Sequence, residues 1–204
     1  MSNKVIFDWI KKIDVHLSRM LYGSFSKTKR NKSYLKTLEY PCHGIPWFAI
    51  TIISLYLFPG KQIIGHLLVG LILDIIYVAI IKALTQRKRP YYARQDDQFC
   101  QFGVDRHSFP SGHASRAIYV ALFFNNFTLW SFIIWIWAIS VCFSRILFGR
   151  HHIGDVIGGV ILGYLNFIIQ FSILAPINSL LMMCFSTLFG VTFSNRNDND
   201  IEID

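Results

Sequence analysis

Charge is what this sequence has least of. Of its 204 residues, 16% are charged and 53% are hydrophobic, where soluble domains carry about 25% charged residues. That balance argues against a soluble globular domain and points to the bilayer as solvent. The four cysteines, Cys42, Cys100, Cys142 and Cys184, include no CxxC pair, and two lie inside apolar runs. No disulfide framework or zinc site is therefore read. A cleavable signal peptide is not expected either: the first forty residues are too charged, and the first long apolar run starts near Ile45. No repeat at a solenoid period is present.

The charge that exists is placed. Net charge is +8; nine of the twenty Lys and Arg lie before residue 43, and six more lie between 82 and 111. The surplus flanks apolar segments, which suggests membrane orientation and an anionic substrate more than nucleic acid.

Residues 4–22 form an amphipathic helical pattern. Ile6, Trp9, Ile10, Ile13, Leu17, Met20 and Leu21 recur at helical spacing, with Lys4, Asp8, Lys11, Lys12 and Arg19 opposite. A helix flat on a membrane surface is expected, with a helix docked on protein as the alternative. A basic Ser/Thr/Lys linker follows over 24–38.

A hydrocarbon core of ~30 Å needs about 20 helical residues. The apolar runs predict spans at 43–58, 62–84, 112–126, 128–148, 154–174 and 177–193, with polar loops at 85–110 and 149–153. The expected fold class is all-α: an integral membrane bundle of about six transmembrane helices with an N-terminal amphipathic surface helix. The expected organisation is a basic region 1–42, a membrane-embedded domain 43–193 and an acidic, disordered tail 194–204.

Two spans separate the polar loops, so both lie on one side, and the N-terminus shares it. The opposite side sees only 59–61, 125–128 and 174–177, with Lys61 its only charge. Lys and Arg concentrate on cytoplasmic loops. The polar loops and both termini are therefore expected in the cytoplasm.

Three polar constellations share that side. In "KALTQRKRP", 82–90, cations end a span, as flanking charge commonly does. In "SFPSGH", 108–113, Pro110 favours a helix start and Ser111 or Ser108 can cap it. Gly112 lets a ligand approach the backbone, and the helix start offers free N–H groups to anions. Arg116 shares a helix face with His113. In "SRILFGRHHIGD", 144–155, His151 and Asp155 stand at i,i+4, on one face if the helix reaches back that far. His152 and Asp155, at i,i+3, are the competing pair, and Asp155 is also suited to capping. Asp74, mid-span, is expected to find a structural partner in His66 or a hydroxyl. Two cationic clusters, an anion-binding helix start, an acid and a nucleophile pair form the set that phosphoryl transfer asks for.

Lys82, Arg89-Pro90, Pro110-Ser111-Gly112-His113 and Ser144-Arg145 with His151 and Asp155 resemble the three-part signature of the type-2 phosphatidic acid phosphatase superfamily. That superfamily also holds undecaprenyl-diphosphate phosphatases, glucose-6-phosphatase and vanadium haloperoxidases. "CHGIPW", "SFPSGHASRA" and "LFGRHHIGDV" look closest to its polyisoprenoid diphosphate phosphatase branch. The resemblance implies hydrolysis of a lipid phosphate or isoprenoid diphosphate without metal or cofactor, in two steps. It implies that His151 attacks phosphorus, Asp155 orients it, and His113 protonates the leaving oxygen. Lys82, Arg89, Ser111, the Gly112 N–H and Arg145 would hold the phosphoryl oxygens. Arg116 is a candidate for a second phosphate, with Arg87 and Lys88 as other nearby cations. The branch implies the endoplasmic reticulum or nuclear envelope. The alternative is a catalytically silent membrane scaffold of the same fold. A transporter fits hydropathy, but its polar groups belong at the midplane rather than one interface.

Overall fold

The computed structural model describes residues 3–25, 37, 40–58, 61–92, 106–125, 131–173 and 187. The expected sixth span, save residue 187, lies outside the described residues, as do the tail 194–204, residues 26–36 of the linker and residues 93–105 of the long loop.

Six α-helices are described: α1 (Asn3–Phe25), α2 (Gly44–Leu57), α3 (Gln62–Thr85), α4 (Gly112–Phe124), α5 (Ser131–Leu147) and α6 (Ile153–Ile168). A 3-10 turn, Tyr40–Cys42, precedes α2, and a π-helical turn, Ile169–Ile173, extends α6. The expected runs become α2 to α6 within a few residues, because apolar length is what sets a span. Helices α3 and α6 with its π-turn are long and apolar enough to cross a membrane; α2 and α5 are shorter apolar helices.

Helix α4 is the centre. Ala114 through Ala121 are all buried, as is Phe123, so this helix is covered all round by α3, α5 and α6. Gly159 and Gly163, one turn apart on α6, let that helix reach the α4 backbone. A Cβ on Gly159 would overlap the Ser111 carbonyl oxygen, and one on Gly163 the Ser115 carbonyl oxygen. Small residues at this spacing permit close helix contact. The outward faces are the reverse of a soluble protein. Ile52, Ile53, Ile76, Ile80, Ile136 and Ile161 are exposed large apolar side chains among many, which suits a bundle solvated by lipid.

A polar layer crosses the bundle interior. Ser115 Oγ donates to Asp74 Oδ1, and Arg116 Nη2 stands 3.3 Å from Asp74 Oδ2. Tyr119 OH donates to Gln170 Oε1 at 2.7 Å, Gln170 Nε2 to the His66 carbonyl at 2.6 Å, and Asn166 Nδ2 to the Gly70 carbonyl at 3.0 Å. Asp74 thus finds the hydroxyl expected of it, together with an arginine.

Helix α1 is inverted relative to an ordinary docked helix. Ile6, Trp9, Ile10, Leu17, Met20 and Leu21 are exposed, while Ser18 on the polar side is buried. The surface-helix and docked-helix expectations both describe part of it: α1 meets α5 and α6 along a strip that carries Asp14 and Ser18, while the apolar face and Asp8, Lys11, Lys12 and Arg19 are left outward.

Candidate active site

The three polar constellations meet at one end of the bundle. Ser108 N donates to the Arg87 carbonyl at 2.8 Å, and Lys88 and His107 form an isolated antiparallel bridge. Arg89 Nη1 donates to the Arg150 carbonyl at 3.2 Å. Ser111 N donates to the Asp155 carbonyl at 2.9 Å. Each constellation is therefore tied to the other two by a hydrogen bond to a backbone carbonyl.

Ser111 is the N-cap of α4, its hydroxyl accepting from Ala114 N. Ser108 is not the cap. Its hydroxyl donates instead to the Arg87 and Lys88 carbonyls, at 3.2 and 3.0 Å, so it staples the first constellation to the second. His113 sits on the first turn of α4. Its carbonyl accepts from Cys42 Sγ at 3.1 Å, and its ring meets His43 edge-on with centroids 6.0 Å apart. The buried His113 Nε2 has no hydrogen-bond partner among the described residues, so it is available to a ligand atom.

Helix α6 does not extend back to His151. Its N-cap is His152, because the chain turns sharply before it. Gly149 has φ of 72°, a left-handed conformation that glycine takes without steric cost. The Arg145 carbonyl then accepts from both Arg150 N and His151 N, at 3.1 and 3.2 Å. This turn buries the His151 ring, whose Nδ1 lies 2.8 Å from the Ser108 carbonyl. A carbonyl only accepts, so the Nδ1 carries the proton and Nε2 keeps its lone pair.

The carboxylate is shared differently from the expectation. Asp155 Oδ2 accepts from His152 N at 2.8 Å and lies 3.2 Å from His152 Nδ1, but 3.9 Å from His151 Nδ1. His152 and Asp155 make a reciprocal capping box, so the i,i+3 pair is the hydrogen-bonded one. Asp155 Oδ1 accepts from Arg87 Nη1 at 2.8 Å. Asp155 therefore holds the backbone next to His151 more closely than its ring.

Electrostatics complete the site. Lys82, Arg145 and His151 are 4%, 2% and 2% exposed, so cationic groups lie beside an imidazole with little water. Burial first, then the charges of Arg89, Arg145 and Lys82, hold the His151 pKa well below its usual 6.5. The ring is neutral at neutral pH, and the cations around it favour an anion. A neutral imidazole beside cationic groups is the combination that nucleophilic attack on an anionic phosphorus centre calls for. Arg116 stands apart: Nη1 donates to the Cys42 carbonyl at 3.3 Å, and Nη2 faces Asp74.

Residues 63–179 match the pattern of the PAP2 superfamily. The chain belongs to the PAP2 superfamily. A probable lipid phosphate phosphatase beta from Arabidopsis thaliana is 32% identical over 134 residues, which take in 52% of this chain and 62% of that relative. Two solved structures share the fold. One is LpxE from Aquifex aeolicus, with a TM-score of 0.62 and 23% identity, covering 76% of this chain and 93% of that one. The other is the first transmembrane PAP2 type phosphatidylglycerolphosphate phosphatase from Bacillus subtilis, with a TM-score of 0.60 and 20% identity, covering 79% and 84%.

The structure adds three participants to the PAP2 signature that its spacing does not name. The Ser108 carbonyl sets the His151 tautomer, Arg87 holds Asp155, and His43 faces His113. Backbone carbonyls leave no mark in a sequence. Arg87 shows only as one cation among several in "QRKR", and its partner is 68 residues away.

Proposed function

We propose that this PAP2 chain is a phosphohydrolase acting on lipid phosphate or diphosphate monoesters through a phosphohistidine. The observation that carries it is the neutral, Nδ1-anchored His151 among Lys82, Arg89 and Arg145. In the first step His151 Nε2 attacks the terminal phosphorus; the N–P bond forms as the P–O bond to the lipid alcohol, or to the lipid monophosphate of a diphosphate, breaks. His113, whose Nε2 has no partner among the described residues, takes up a proton as the anionic phosphate binds beside it and gives that proton to the departing oxygen. In the second step water attacks the phosphohistidine, His113 takes the water's proton, and inorganic phosphate leaves with His151 restored. Lys82, Arg89, Arg145, the Ser111 hydroxyl and the Gly112 N–H hold the equatorial oxygens, where charge must be met in the transition state.

Arg116, whose terminal nitrogens serve Asp74 and the Cys42 carbonyl, is assigned to the bundle rather than to a second phosphate. The isoprenoid diphosphate preference rests on the likeness of "CHGIPW", "SFPSGHASRA" and "LFGRHHIGDV" to the polyisoprenoid branch. Residence in the endoplasmic reticulum or nuclear envelope rests on the same likeness. A cytoplasmic site follows from the Lys and Arg bias of its loops. The outward apolar face of α1, at the site end, suits the interface of the same leaflet. The test is phosphate release by purified protein, with EDTA present, over a panel of mono- and diphosphate lipids. Release with loss in His151→Ala supports the reading; failure on every lipid of the panel contradicts it. Protease cleavage of the 85–110 loop in sealed microsomes checks sidedness.

A further inference from the structure

Helix α1 reaches the proposed site through two side chains. The first amides of α6 need acceptors, since no earlier helical turn supplies them. Ser18 Oγ accepts from Ile153 N at 2.9 Å, and Asp14 Oδ1 accepts from Gly154 N at 2.9 Å. A negative side chain is well placed at this positive helix end. The same carboxylate continues inward. Asp14 Oδ2 accepts from Arg87 Nη2 at 2.5 Å, and Arg87 Nη1 donates to Asp155 Oδ1 at 2.8 Å. Ser18 and Asp155 are fully buried, and the Asp14 and Arg87 side chains are 13% and 21% exposed. The chain Asp14–Arg87–Asp155 is therefore a largely desolvated relay of alternating charge, in which Arg87 bridges the two carboxylates.

Asp155 in turn holds the His152 N–H, one residue from the proposed nucleophile. Asp14 also fixes Gly154, on the other side of His152 and Ile153. Loss of Asp14 removes the side-chain acceptor of Gly154 N and one of the two carboxylates that hold Arg87. A displacement of about 1 Å at the reacting atom can cost about 100-fold in rate.

We infer that Asp14 is a positioning residue of the phosphatase site, acting on Asp155 through Arg87 and on the 151–154 segment through the Gly154 amide. The amphipathic helix is then part of the catalytic assembly, and whatever shifts α1 on its surface shifts the site. This rests on the phosphohydrolase reading above.

The test uses the full chain in lipid nanodiscs, with kcat taken per active site from the phosphoenzyme burst so that misfolded protein is not counted. Variants are Asp14→Ala, the isosteric Asp14→Asn, Arg87→Gln and the double Asp14→Asn/Arg87→Gln, with His151→Ala alongside. Asp14→Asn retains an acceptor for Gly154 but loses the charge facing Arg87, and it decides the matter if Asp14→Ala does not fold. The expected result is a kcat lowered about 10-fold in each single variant, KM within two-fold of the parent, and a double variant no worse than the poorer single. A kcat within two-fold of the parent in Asp14→Asn, or single losses that multiply in the double, overturns the inference while a dead His151→Ala leaves the phosphatase reading intact. Full activity in His151→Ala overturns the phosphohistidine reading on which the inference rests.

Discussion

His151 gives its Nδ1 proton to the Ser108 carbonyl at 2.8 Å, while the carboxylate of Asp155 stays 3.9 Å from that nitrogen. A backbone oxygen, not the signature aspartate, sets the tautomer. The pH dependence follows. Burial and the Arg89, Arg145 and Lys82 charges keep the folded-state pKa below the usual 6.5. The acid limb of kcat/KM, which reports the free enzyme, is expected below 6.5. The unfolded chain binds this proton more readily, so the group's contribution to stability is full above 6.5 and is lost as pH falls toward the folded value. A pH-rate profile with thermal melts across the same range checks both; an acid limb above 7 contradicts the assignment.

Asp155→Asn removes the charge that Arg87 faces and weakens the capping box. A drop in kcat of about 100-fold is expected, with a stability loss of about 1 kcal/mol from the cap. His152→Ala loses the ring's contacts with Asp155 and Tyr92 but keeps the backbone bond to Asp155, and should keep most of its activity. If His152→Ala were the dead variant and His151→Ala the active one, the roles of the two histidines would have to be exchanged.

Several features of the frame are legible in the sequence for a simple reason: apolar run length sets a span. The run at 43–58 becomes Gly44–Leu57, and 62–84 becomes Gln62–Thr85. The gathering of Lys82, Ser111 and His151 is legible because parity puts their loops on one side. What is not legible depends on choices among near neighbours or on distant partners. Asp155 has two histidines within reach, and only the turn at Gly149 decides which one it bonds. Asp14 meets Gly154 across 140 residues, with no local pattern to announce it. The surface-helix pattern of α1 is plain, but that Asp14 and Ser18 reach the start of α6 is not.

Arg116 and Asp74 form a buried pair, at 8% and 0% exposure, and removing one partner of such a pair costs about 3 kcal/mol or more. Arg116→Ala is expected to lower thermal stability and to reduce turnover of mono- and diphosphate lipids to the same degree. A selective loss with diphosphates would restore Arg116 to the substrate.

Gly159→Ala puts a methyl against the Ser111 carbonyl. Forced separation of α4 from α6 is expected to cost about 1–3 kcal/mol and to raise KM for phosphate monoesters, because Ser111 and the Gly112 N–H move with it. A variant with parental melting temperature and KM would show that the two helices do not meet this closely.

The central claim is a covalent phosphate on His151. Rapid quench of purified protein with a 32P-labelled lipid phosphate, in EDTA, followed by peptide mapping of the label, reads it directly. The expected result is an acid-labile, base-stable phosphoenzyme on the peptide carrying His151, absent from His151→Ala together with turnover. Label on another residue, or turnover that survives His151→Ala, would contradict it.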